Sequence, residues 1–166
     1  QTEITWLGEG VSFGLADTVH NTARLQAQNL PELADSQALA AAMGITINEL
    51  RFLCFQKNVS RVNHYRRVTL AKKSGGERLI SAPMPRMKRA QYWILENILN
   101  RVKLHDAAHG FVTGRSILSN ALPHVNRAIV VNLDMENFFP TVNYRRVKGL
   151  FRQLGYAEQL ATELAL

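Results

Sequence analysis

The sequence has little that would staple, anchor or export it. Its one cysteine, Cys54, cannot form an internal disulfide, and no Cys/His set has metal-ligand spacing. No run approaches 18 unbroken apolar residues, so these residues hold no membrane-spanning helix. The opening Gln1-Thr2-Glu3-Ile4 has neither a basic n-region nor an apolar stretch, so no signal peptide is visible. It also begins on Gln1 and not on methionine, which leaves the true N-terminus open. These absences set a reducing, cytoplasmic location as the expectation, with no membrane partner. Repeats and low-complexity segments are missing too.

Positive charge is scarce in the first fifty residues and crowded in the rest. Residues 1–50 carry one base, Arg24, against six acids, a net of −5. Residues 51–166 carry 19 bases against seven acids, a net of +12, and 13 of those bases lie within 51–103 beside only Glu77 and Glu96. Self-repulsion on that scale is relieved by a polyanion, which points to phosphate-bearing partners. A composition 46% hydrophobic and 20% charged can bury a core, which argues against wholesale disorder. The 166 residues have room for one domain, or for a small domain joined to part of another.

Residues 1–35 are weakly patterned and predict loop with short helix. Gly8-Glu9-Gly10-Val11-Ser12-Phe13-Gly14 has the wrong glycine spacing for a dinucleotide loop and no strand before it. Ser36 is placed to cap a helix through Ala38, Leu39, Ala42 and Met43, which Gly44 ends. Thr46-Ile47-Asn48-Glu49 has capping-box spacing ahead of the stripe Leu50, Leu53, Cys54. Two short helices around a glycine resemble a helix-turn-helix, but Asn48, Arg51 and Gln56 are a thin reading set on an acidic segment. A helical hairpin packed on its neighbour is the better account.

Residues 64–82 predict a β-hairpin turning at Ser74-Gly75-Gly76-Glu77. Pro83 and Pro85 end it and open a helix over about 86–102, with Met87, Trp93 or Ile94, Leu95, Ile98, Leu99 and Val102 as its apolar stripe. A glycine-punctuated loop, 109–115, precedes a helix capped by Ser116 and running to about Val125. The β-branched run Ala128–Leu133 predicts a buried strand ending at Asp134. Residues 143–154 predict an amphipathic helix with Val147, Leu150, Phe151 and Leu154 inward and Arg145, Arg146, Lys148 and Arg152 outward. Gly155 stops it, and a last helix starts near Ala157.

Three features could carry chemistry. Asp134, at the carboxyl end of a buried strand, needs a cation, a donor or solvent; it is either a magnesium ligand or a cap for the following turn. Lys72-Lys73-Ser74-Gly75-Gly76-Glu77-Arg78, with Arg66 and Arg67 before it, can close over a triphosphate or can be a solvated turn. Arg86, Lys88 and Arg89 open a helix with three bases, which suits a nucleic-acid backbone and equally suits a charged outer face.

Taken in order, Tyr65, Lys72–Arg78, Ala82-Pro83, Gln91, Ala108-His109-Gly110-Phe111, Gly114-Arg115-Ser116-Ile117, and Asn132-Leu133-Asp134 with Phe138-Phe139-Pro140 resemble bacterial reverse transcriptases of the retron and group II intron type. Asn120-Ala121-Leu122-Pro123-His124 is similar to the Asn-Ala-x-x-His signature of the retron members. The resemblance covers about 60–160. It implies an α+β right-hand polymerase: a helical N-terminal segment over 1–59, fingers over 60–127, and the beginning of a palm over 128–166. On that likeness Asp134 and the Met135 backbone carbonyl hold two Mg²⁺ ions. Lys72 and Arg78, then Arg66 and Lys73, bind the deoxynucleotide triphosphate, and Phe139 is the steric gate that rejects a ribose 2′-OH. Asn120 and His124 take an RNA-binding or local structural role, and Arg86, Lys88 and Arg89 face RNA.

The implied function is RNA-directed DNA synthesis on a cognate structured noncoding RNA, through an RNA–DNA hybrid, in antiphage defence with room for an effector protein. No Tyr-x-Asp-Asp, Gln-Gly segment or thumb follows within these residues. The expectation is therefore the amino-terminal part of a longer enzyme, inactive alone. Competing readings are a group II intron or other bacterial reverse transcriptase, and a non-catalytic nucleic-acid-binding module.

Overall fold

The structure, a computed structural model, describes residues 17–54, 63–73 and 75–166. The Gly8–Gly14 segment, Gln56 and Ser74 lie outside them. Three short helices come first: α1 (Thr22–Ala27), α2 (Ser36–Ala42) and α3 (Ile47–Cys54). A two-stranded antiparallel hairpin follows, β1 (Tyr65–Ala71) and β2 (Glu77–Pro83), and then α4 (Pro85–Asn97), which tightens into a 3₁₀ turn over Leu99–Arg101. After a long irregular stretch come α5 (Ile117–Ala121), a 3₁₀ turn over Leu122–His124, α6 (Phe138–Thr141), α7 (Tyr144–Leu154) and α8 (Glu158–Ala165). The mixture of helix and strand is α+β.

Local chemistry accounts for most of the boundaries. Asn143 caps α7 by accepting the Arg146 N–H at 3.1 Å, and Thr46 Oγ1 accepts the Glu49 N–H at 3.1 Å ahead of α3. For α2 the cap is one residue earlier than the spacing suggests. Asp35 accepts the Ala38 N–H at 2.8 Å, which frees the Ser36 hydroxyl to donate to Glu163 Oε1 at 2.6 Å. Ser116 caps α5 in a reciprocal box with Ser119. The helix then stops well short of Val125, because Pro123 lacks the N–H that another turn needs.

The core joins the two ends of the described chain. Leu25, Leu30, Leu33, Leu39, Ala40, Leu50 and Cys54 pack with Ile98 and with Phe151, Leu154, Tyr156, Leu160, Ala161 and Leu164. Leu95 and Leu150, expected to face inward, are instead exposed at 38% and 41%. The acidic amino-terminal segment contributes ion pairs to this packing. Asp17 meets Arg152 at 3.0 Å and Glu49 meets Arg86 at 3.8 Å, while Glu158 holds Arg152 and Lys148 together. Two of the four bases expected on the outer face of α7 are thus spent on internal pairs; Arg145 and Arg146 remain exposed.

Residues 128–133 do not form the expected strand. They are irregular, with Ile129 81% and Leu133 87% exposed. A β-branched sequence supplies propensity, but a strand exists through a neighbour's backbone. The only sheet among the described residues is the β1–β2 hairpin, and nothing pairs with this run. Asp134 accordingly sits on exposed irregular chain and not at a buried sheet edge.

Candidate functional site

Strand register decides which side chains of the hairpin share a face. Arg66 lies opposite Ala82, Val68 opposite Ile80 and Leu70 opposite Arg78, so Arg66, Val68, Leu70, Arg78 and Ile80 share one side. The next residue in that alternation is Lys72, whose N–H donates to Gly76 O at 2.9 Å. Gly75 and Gly76 have φ of +87° and +83°, which allows the reversal between the strands. Lys72 and Arg78 are therefore diagonal neighbours at the far end of one face. Arg66 stands on the same face, roughly 13 Å along β1 from the level of Arg78 and roughly 20 Å from Lys72. Lys73 belongs to the turn itself. The basic tip and the Arg66 position are two separate places along that face.

The base of the hairpin is tied down on two sides. The buried His64 lies edge-on to Phe52, with ring centroids 4.9 Å apart, and its Nε2 donates to the Phe52 carbonyl at 2.9 Å. The Met84 N–H donates to the His64 carbonyl at 2.8 Å. On the other side Gln91 Nε2 donates to the Tyr65 hydroxyl at 2.8 Å. Of these five, the motif order picks out Tyr65 and Gln91 but gives no sign of His64; a histidine just before a strand carries no pattern of its own.

Along α4, Arg86 leans on Glu49, while Lys88 lies 5.7 Å from the Tyr92 ring centre. Pro83, Pro85, Arg86, Lys88, Arg89 and Tyr92 line an open groove. Prolines, three bases and an aromatic ring along one groove form a surface suited to a phosphate backbone with a base stacked beside it.

The loop after α4 is organised by Arg115, whose guanidinium donates to the carbonyls of His105, Asp106 and Ala108 and pairs with the Asp106 carboxylate at 3.6 Å. His109 Nδ1 and Ser119 Oγ are 3.0 Å apart, which joins this loop to the cap of α5. Asn120 and His124 follow on α5 and the 3₁₀ turn, exposed and without side-chain hydrogen bonds among the described residues. Asp134, Met135 and Phe139 are exposed as well, and Phe139 packs edge-on against Phe138. Among the described residues no hydrogen bond or ion pair joins Asp134 or Phe139 to the hairpin. Among the described residues no three His, Cys, Asp or Glu side chains gather as a metal site. Asp134 and the Met135 carbonyl would supply two oxygen ligands, and Mg²⁺ takes its six from waters, substrate phosphates and further carboxylates as well as from such groups.

Among the described residues, the carboxylate whose titration is shifted lies in the core. Glu163 is buried; its Oε1 accepts from Ser36, while its Oε2 has no hydrogen-bond partner among the described residues. Burial pushes its carboxyl upward, Asp35 adds to the rise, and the Ser36 hydrogen bond and Arg51 oppose it. The Cys54 thiol beside it is also driven up, by burial first and Glu163 second.

No protein-family model matches the chain. Curated relatives do, and they share one description. The retron Mx162 reverse transcriptase of Myxococcus xanthus is 43% identical over 171 aligned positions, 99% of this chain. This chain is a homologue of the retron reverse transcriptases. The retron Mx65 reverse transcriptase of Myxococcus xanthus is 39% identical over 92% of it, and the retron Ec86 reverse transcriptase of Escherichia coli is 33% identical over 87%. Coverage in the other direction is much smaller, at 35%, 36% and 44% of those proteins. The chain thus spans between about a third and a little under half of the retron reverse transcriptases it matches. No described helix is long and apolar enough to cross a membrane.

Proposed function

We propose that the full-length protein bearing this chain is a retron-type RNA-directed DNA polymerase. It extends a primer with deoxynucleotides on a cognate structured noncoding RNA. The observation that carries the proposal is homology to named retron reverse transcriptases along nearly the whole chain, at up to 43% identity. The hairpin geometry supports a division of labour within it. Lys72 and Arg78 at the tip grip the incoming triphosphate, with Lys73 beside them and Arg66 nearer the base. The α4 groove of Arg86, Lys88 and Arg89 takes the RNA backbone, with Asn120 and His124 as further RNA contacts.

Asp134 and the Met135 carbonyl contribute to magnesium sites that residues beyond this chain complete. Phe139 fills the space beside C2′ and turns ribonucleotides away, because an aromatic ring there leaves a hydroxyl nowhere to sit. The fingers occupy 60–127 and the palm starts near 128, where Ala128–Leu133 gains strand partners from the rest of the protein. Participation in antiphage defence, with an effector protein, carries over from the retron resemblance. The test is primer extension by the purified full-length protein on its RNA with Mg²⁺ and dNTPs. Labelled DNA that depends on the RNA template supports the reading. RNA binding with no incorporation would leave a non-catalytic nucleic-acid-binding module in its place.

A further inference from the structure

A two-stranded hairpin is marginal by itself. Its basic tip has a defined position only if the base is held, and positioning groups earn their effect by locking geometry to within fractions of an ångström. Here the hold comes from α3, the last of the amino-terminal helices. His64 stands where α3, β1 and the β2–α4 junction meet. Its side chain reaches the Phe52 carbonyl of α3, its ring lies against the Phe52 ring, and its own carbonyl takes the Met84 N–H between β2 and α4. The acceptor is a carbonyl, which has no proton to give, so Nε2 carries the hydrogen. α3 is itself fixed in the core through Leu50 and Cys54. Glu49 of the same helix also pairs with Arg86 at the start of α4.

We infer that His64 is a positioning residue: it transmits the rigidity of the amino-terminal helices to the hairpin and so sets where Lys72 and Arg78 meet the incoming triphosphate. This rests on the nucleotide-binding role proposed for the hairpin. His64 touches no substrate, and its effect belongs in nucleotide affinity more than in turnover. The amino-terminal segment is then a buttress for the nucleotide-gripping arm as well as a packing partner.

Two variants of the full-length protein separate these effects. His64→Phe keeps a ring against Phe52 and removes the donor; His64→Gln keeps a donor near the Nε2 position. Loss of one buried hydrogen bond corresponds to roughly a five-fold change. His64→Phe is therefore expected to raise the KM for dNTP about five-fold, leaving kcat and RNA affinity within two-fold, and His64→Gln to return KM toward the parent. Hydrogen–deuterium exchange over 65–83 provides a readout that needs no polymerisation: faster exchange in His64→Phe and near-parent exchange in His64→Gln. Unchanged exchange in His64→Phe, or equal loosening in both variants, overturns the inference. A KM unmoved while exchange rises also overturns it. If the parent incorporates no nucleotide, the polymerase reading fails, and the exchange data alone then decide whether His64 buttresses the hairpin.

Discussion

Gly155 shows how one residue can be fixed by its neighbours. It ends α7 at φ +117°, and a Cβ there would lie 2.8 Å from Asn21 O and 3.1 Å from Arg24 Cβ. The Asn21 N–H also donates to the Gly155 carbonyl at 2.8 Å. Gly155→Ala must adopt a strained backbone and push α1 away, so it should cost about 2–4 kcal/mol, read from urea midpoints. A change under about 0.5 kcal/mol would refute the close approach.

Glu163 gives a pH prediction whose sign follows from its raised carboxyl. The folded state keeps this proton at pH values where the unfolded chain has lost it. Its contribution to stability is complete below the ordinary glutamate value, about 4.3, and is lost as pH rises through the higher folded value. Glu163→Gln should therefore flatten that fall and melt above the parent at pH 8. Parallel melting curves against pH would contradict it. The helix-stopping role of Gly155 is legible in the sequence, but the Asn21 contact is not. The burial of Glu163 against Ser36 is equally hidden, because 127 residues separate the partners.

At the scale of elements, the hairpin is where sequence and structure agree best, and Ala128–Leu133 is where they part. Two short strand-forming runs, a Gly-Gly reversal and closing prolines are enough to specify β1 and β2. A central strand depends on partners far along the chain, and composition cannot supply them. The hairpin tip yields a direct prediction in the full-length protein. Lys72→Ala with Arg78→Ala should raise the KM for dNTP at least ten-fold in steady-state primer extension and leave RNA affinity within about three-fold; charge-assisted contacts worth about 1.5–3 kcal/mol each set that scale. Loss of RNA affinity with unchanged KM would move these bases to the nucleic-acid side. For α6, Phe139→Ala should admit ribonucleotides, and unchanged sugar selectivity in competition assays would remove Phe139 from the gate.

Across the whole molecule, the charge asymmetry has acquired a structure. The acidic end lends Asp17 and Glu49 to Arg152 and Arg86, while most of the basic excess stays outward on the hairpin, α4 and α7. Lys88 and Arg89 have no acidic partner among the described residues. Replacing both with alanine should lower the slope of log K for RNA binding against log salt by about 1.4–1.8, at roughly 0.7–0.9 per phosphate contact. An unchanged slope would place the RNA elsewhere. The family could be recognised from motif order alone, whereas the shared core of the two chain ends could not, since no local pattern couples residues 25 and 160. The 166 residues alone, with one candidate metal carboxylate, should incorporate no nucleotide.

The most direct measurement is template-dependent incorporation by the full-length protein carrying Asp134→Ala, with RNA affinity measured on the same preparation. Loss of the Asp134 carboxylate should abolish DNA synthesis and preserve RNA binding. Synthesis at the parent rate would contradict this.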